Sequence, residues 1–126
     1  MKKEIADKWV AALRSGKYSQ GRHLLKQVAE EGTISYCCLG VLCELAIEDG
    51  LDVSQQFFNG DYSFESNSAM LSQKVMLWAD MKTMSGMYSA FESDGNRRMY
   101  DLSGDNDEGM SFAEIADIIS EKWEEL

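Results

Sequence analysis

The residues of this sequence best suited to nucleophilic or metal chemistry are its one histidine, His23, and its three cysteines, Cys37, Cys38 and Cys43. A reactive thiol needs a base or a nearby positive charge that lowers its pKa. The string Cys37-Cys38-Leu39-Gly40-Val41-Leu42-Cys43 offers neither, so the cysteines read as reduced, buried thiols acting as small hydrophobes. Zinc held by His23 and the cysteines is disfavoured by spacing, because adjacent Cys37 and Cys38 are poorly placed to ligate one ion. Asp101, Asp105, Asp107 and Glu108 with Gly109 invite a calcium reading. If Gly109 takes the sixth position of a calcium loop, however, the first falls on Gly104 and the twelfth on Ile115. What remains is an irregular weak cation site, or a solvated loop whose acids favour the positive end of the next helix. Glycine-rich phosphate loops, nucleophile elbows and zinc-protease motifs are absent. The expectation is a protein that is not an enzyme and needs no cofactor or metal.

Charge is more informative. The 126 residues carry 12 Lys+Arg against 22 Asp+Glu, a net of −10. This disfavours a bulk grip on nucleic acid or on an anionic membrane. The charge is unevenly spread: residues 1–32 hold seven basic and four acidic side chains, net +3, whereas residues 33–126 net −13. The basic part concentrates in Arg14, Lys17, Arg22, His23 and Lys26, interleaved with Tyr18, Gln20 and Gly21. Arginine gives forked donors to a phosphate or carboxylate, glycine lets backbone N–H groups approach an anion, and a tyrosine can stack on a base. Arg14, Lys17, Tyr18, Gln20, Arg22, His23 and Lys26 are therefore the candidate binding residues for a small anionic, nucleotide-like ligand. The alternative for the same residues is a basic loop docked internally against the acidic remainder.

The elements that must position these residues follow from periodicity. Ile5, Trp9 and Leu13 share one face of a helix over about residues 3–15, ended by Gly16. Lys17–Lys26 reads as a loop leading into a short strand or helical turn, and Thr33–Tyr36 has strand character. Residues 38–49 are apolar on most faces, with Glu44 and Glu48 one turn apart, which describes a buried central helix. Asn59-Gly60 marks a hairpin, and Ser93–Asn96 marks a second, longer-looped one between Met87–Phe91 and Arg97–Tyr100. Leu71, Val75 and Trp78 predict a short helix capped by Ser68 or Ser72. Ser111 and Glu114 form a capping box ahead of a helix facing Phe112, Ile115, Ile119, Trp123 and Leu126 inward. With no proline in the chain, turns fall to Gly, Asn, Asp and Ser. The expected architecture is a single α+β domain over residues 1–126. About four helices surround the central one, roughly residues 38–49, with a small antiparallel sheet of hairpins.

Trp9–Gly21, the Cys37–Cys43 string, Val75–Ala79 and Gly109–Ile119 together resemble a set of small proteins from tailed bacteriophages and prophages. They cover about half the chain. Many members have Leu-Pro where Leu71-Ser72 stands here, and a shorter middle region, so the resemblance says least about residues 51–70 and 81–100. It implies phage origin and expression in a host bacterial cytoplasm, and it assigns no catalytic residues. The absence of any long apolar run agrees with a protein that avoids the membrane. The leading expectation is a non-enzymatic accessory protein that counters a host defence by sequestering a small anionic ligand such as a nucleotide signal. Such a binder would be a homo-oligomer. The alternative is an acidic protein-binding inhibitor or DNA mimic acting on a host protein. A third is a small structural or regulatory protein without a ligand.

Overall fold

A computed structural model describes all 126 residues. The order is α1 (Lys3–Arg14), β1 (Lys26–Val28), β2 (Ile34–Tyr36), α2 (Cys38–Glu48), β3 (Gln55–Phe58), β4 (Asp61–Phe64), α3 (Gln73–Ala79), β5 (Met87–Phe91), β6 (Arg97–Asp101), α4 (Leu102–Asp107) and α5 (Phe112–Lys122). The fold is α+β. It has five helices: four lie where periodicity located them, and the fifth, α4, was not located.

Apolar spacing drives the helical part. Ile5, Ala6, Trp9, Val10 and Leu13 of α1 are buried, as are Phe112, Ile115, Ala116 and Ile119 of α5, and these two helices pack together. Helix α2 is the central element: Cys38 to Cys43 and Ala46 are buried without a break, and α1, α3 and α4 all lie against it. Gly40 is required there by close approach. A Cβ built on it would lie 1.7 Å from the carbonyl oxygen of Leu25, so the backbone entering β1 crosses α2 in direct contact. Any side chain at this position would overlap a main chain that the sheet holds in place.

The strands form a four-stranded antiparallel sheet in the order β2-β1-β4-β3 and a separate β5-β6 hairpin. Asn59 and Gly60 both have positive φ, 52° and 86°, as a two-residue type I′ turn demands. Segment Ser19–Gly21 runs along the outer edge of β2, where Tyr36 N–H donates to the Ser19 carbonyl and Gly21 N–H donates to that of Tyr36. The stretch read as a loop before β1 is thus partly incorporated into the sheet.

Helix ends follow the expected chemistry. The Ser72 hydroxyl caps α3 by accepting from Val75 N–H, and the Ser111/Glu114 capping box is complete. Residues 101–108, expected as a loop, instead wind into α4. The Asp101 carboxylate accepts from Gly104 N–H at 2.7 Å, while Leu102 and Asn106, one turn apart, are fully buried. Two buried side chains at this spacing outweigh the weak helix preference of Gly104, Asp105 and Asn106. None of the helices is long and apolar enough to cross a membrane.

Candidate functional site

The seven predicted binding residues do not converge on one cavity; they separate into three groups, most members holding an internal partner. Arg14, at the end of α1, reaches Asp117 of α5 at 2.6 Å. Lys17, Tyr18 and Lys26 turn to the polar side of α2. The Lys17 ammonium lies 3.2 Å from Glu48, and the Tyr18 hydroxyl donates to the same carboxylate at 3.4 Å. The Lys26 ammonium lies 3.0 Å from Glu44 and 4.4 Å from the centre of the Tyr62 ring. Burial pulls the Lys26 ammonium toward neutrality, but Glu44 more than offsets this and holds its pKa above the ordinary lysine value. Glu48 raises that of Lys17. Burial raises the Tyr18 and Tyr36 hydroxyls.

These side chains form a band across one sheet face. Tyr18 meets Tyr36 edge-on at 5.1 Å, Lys26 sits between Tyr36 and Tyr62, and Phe57 packs on Tyr62 at 4.8 Å. A lysine ammonium within about 6 Å of two ring faces is well placed for cation–π attraction. The band already holds its cation, and Glu44 and Glu48 beside it oppose an incoming phosphate.

Gln20, Arg22 and His23 form the third group, against the turn between α4 and α5. The Gln20 carboxamide donates to Asn106 Oδ1 at 3.0 Å and to the Met110 carbonyl at 2.8 Å, and it accepts from Phe112 N–H at 3.0 Å. His23 has φ 71°, unusual for a residue with a side chain. Its N–H donates to Asp107 Oδ1 at 2.7 Å, and its Nδ1 lies 3.3 Å from Asp107 Oδ2. Arg22 differs from the others: its guanidinium makes no ion pair with any carboxylate of the chain and lies beside Gly109, where a Cβ would come within 3.1 Å of Nη2.

Asn106 was not singled out in the sequence, yet its side chain joins all these segments. It is fully buried. Its Oδ1 accepts from Cys38 N–H at 3.1 Å as well as from Gln20, and its Nδ2 donates to the Gly21 carbonyl at 2.8 Å. The residue before α2, Cys37, provides no side-chain cap. Asn106 therefore satisfies an N–H that the first turn of α2 cannot pair within the helix. The Asp-Asn-Asp-Glu context reads as polar turn chemistry and hides a buried bridging amide.

The acids considered for a cation are spent separately. Asp101 caps α4, Asp107 holds His23, and buried Asp105 accepts from the Tyr88 hydroxyl at 2.6 Å. Burial raises the Asp105 pKa above the usual carboxyl range despite that hydrogen bond. The cysteines are free and buried. Burial pushes the Cys37 thiol up to about 11 and raises Cys38 and Cys43 as well, the direction opposite to that of an activated nucleophile.

The two concavities lie elsewhere. A cleft of about 360 Å³ between α1 and α2 is lined by Lys8, Ala11, Leu45, Glu48 and Asp49. A smaller one of about 220 Å³ lies along β3 and β4 and includes Gln56, Phe58 and Asp61. None of the seven residues lines either. The large exposed apolar side chains are the other surface feature, notably Phe57 and Phe58 on one hairpin and Met87, Phe91 and Met99 on the other.

The chain belongs to the family described as a domain of unknown function, DUF8296, which matches residues 1–123. No curated protein and no solved structure matches it.

The Asp105 environment sets a pH dependence with a definite sign. Its folded pKa is raised, so the native state holds this proton more tightly than the unfolded chain. The associated stability is fully present below the ordinary carboxyl pKa and is lost as pH rises through the native value. Asp105→Asn keeps an acceptor for Tyr88 and removes the charge. The variant is expected to unfold at higher urea concentration than the wild type at about pH 7, with the gain shrinking toward about pH 4. A variant less stable than the wild type at neutral pH would contradict this reading.

Proposed function

We propose that this DUF8296 protein is a non-enzymatic binding protein that engages a basic surface of another protein through the outer face of the β5–β6 hairpin. The observation that carries the reading is the exposure of Phe91 (75%), Met99 (56%) and Met87 (40%). In the antiparallel register Ser89 faces Met99 and Phe91 faces Arg97, which sets Met87, Phe91 and Met99 on one side, around a buried Ser89 whose hydroxyl donates to Glu125 at 2.6 Å. Tyr88 and Tyr100 take the opposite side, their rings stacked at 5.9 Å, and Tyr88 is buried. Aromatic and methionine side chains are enriched in protein contact surfaces. Around this patch, Arg98 is held by Asp94 at 2.8 Å and Arg97 lies 3.9 Å from Glu125, so the hairpin's cations are already engaged. A chain of net −10 repels acidic partners and speeds encounter with basic ones. The resemblance to tailed-phage proteins supports a host bacterial protein as the target, met in the cytoplasm, with inhibition or DNA mimicry as the outcome.

The test is retention from bacterial lysate on immobilised wild type and on a Phe91→Ser, Met99→Ser double variant. The expected result is a basic protein retained by the wild type, lost by the variant and weakened by high salt. Retention that is equal on both, or indifferent to salt, would overturn the reading.

A second reading, sequestration of a small anionic, nucleotide-like ligand, is supported by Arg22 alone, since Arg14, Lys17, His23 and Lys26 each face a carboxylate. A forked donor without a partner, next to a glycine, suits a phosphate. Calorimetric titration with nucleotides and cyclic dinucleotides checks it. Saturable heat that disappears in Arg22→Ala is the expected outcome, and no heat with any of them rejects it.

A further inference from the structure

We propose that the bare edge of β3 is a self-association surface, and that two copies pair β3 to β3 antiparallel about a two-fold axis at Gln56, forming one continuous eight-stranded sheet. This is independent of the hairpin patch described above.

The other sheet edges each carry a device that limits pairing. The outer edge of β2 is taken by Ser19–Gly21. On β5, Met87 N–H donates to the Thr83 hydroxyl and Ser89 N–H to Glu125, so side chains occupy two of its outward donors. Strand β6 carries Arg97, Arg98 and Asp101, charges that discourage pairing. Strand β3 has none of these devices. Its sequence is Gln-Gln-Phe-Phe, all four residues are exposed, and it lies at the end of the sheet order.

The hydrogen-bond phase of the β3–β4 hairpin fixes what the edge offers. Glu65 N–H donates to the Ser54 carbonyl at 2.9 Å, so the 54–65 pair is hydrogen-bonded. By antiparallel alternation the Gln56–Ser63 and Phe58–Asp61 pairs are bonded too. The N–H and C=O groups of Gln55 and Phe57 therefore point away from β4. Two donors and two acceptors spaced in this way complement a second copy of themselves: Gln55 pairs with the partner's Phe57, Phe57 with the partner's Gln55, and Gln56 faces the partner's Gln56 across a non-hydrogen-bonded position.

The two-fold complementarity of these groups selects a second copy as the occupant, and at this edge charge does not oppose it. Two chains of net −10 repel over most of their surfaces. Residues 53–60, which contain β3 and its turn, hold no charged side chain. Two copies meeting at this edge therefore place no like charges of β3 against each other, and Phe57 (56% exposed) and Phe58 (78% exposed) add apolar area beside the new ladder. Their combined contribution from both copies is on the order of 500 Å², given about 150–250 Å² per aromatic side chain. A stable interface buries about 1,200 Å² or more, so the dimer should form reversibly with concentration.

The test is sedimentation equilibrium of the full chain with two variants. The wild type is expected to show a monomer–dimer equilibrium. Gln56→Lys, which sets two like charges opposite each other at an exposed position, should shift it to monomer with the circular dichroism spectrum unchanged. Gln56→Cys should give a disulfide-linked dimer on mild oxidation, because Cα atoms of a non-hydrogen-bonded pair lie about 4.5 Å apart, within disulfide reach. The buried native cysteines do not compete. A wild type that stays monomeric at all concentrations, a dimer unaffected by Gln56→Lys, or a Gln56→Cys variant that does not cross-link would each overturn the proposal.

Discussion

The carboxamide of Asn106 ties together parts of the chain that are far apart in sequence. Fully buried, it accepts from the first turn of α2 and from Gln20 and donates to the Gly21 carbonyl. Gln20 extends the network to Met110 and to the first N–H of α5. One side chain of α4 thus sets where the 19–21 segment, the head of α2 and the head of α5 lie relative to one another. Such a network is stabilising only while complete, since each buried donor or acceptor left without a partner costs about 1–3 kcal/mol.

This network decides the role of the basic segment. The contacts of Arg14 with Asp117, Lys17 with Glu48 and His23 with Asp107 leave these basic side chains largely exposed, where water screens them and they hold the fold only weakly. Only Lys26–Glu44 is well buried. The segment's path therefore rests on Gln20, Gly21 and Asn106, and its charges are matched to carboxylates of α2, α4 and α5 as a consequence. Paired in place, these side chains supply little field for a distant anion.

How much of this could be read from the sequence depends on whether a signal is local. The helical faces of Ile5–Trp9–Leu13 and Phe112–Ile115–Ile119, the Ser72 and Ser111 caps, and the Asn59-Gly60 turn each follow from a few neighbouring residues, and each has its expected place. Helix α2 as the buried centre followed from its unbroken apolar run. The Leu102–Asp107 helix was hidden because most of its residues favour turns in isolation; packing of Leu102 and burial of Asn106 override that preference. The basic residues of the candidate site were identifiable, but their partners were not. Arg14 with Asp117 and Gln20 with Asn106 are separated by 103 and 86 residues, and no local pattern encodes such pairs.

The most direct test of this account is the unfolding free energy of Asn106→Ala, measured by denaturant titration against the wild type. Loss of the carboxamide strands the Cys38 N–H and the Gly21 carbonyl and releases one Gln20 bond. The account predicts a loss of about 3 kcal/mol or more, at the high end for a single substitution. A loss of less than about 1 kcal/mol would show that the segment and the head of α2 hold their positions without Asn106, and would contradict it.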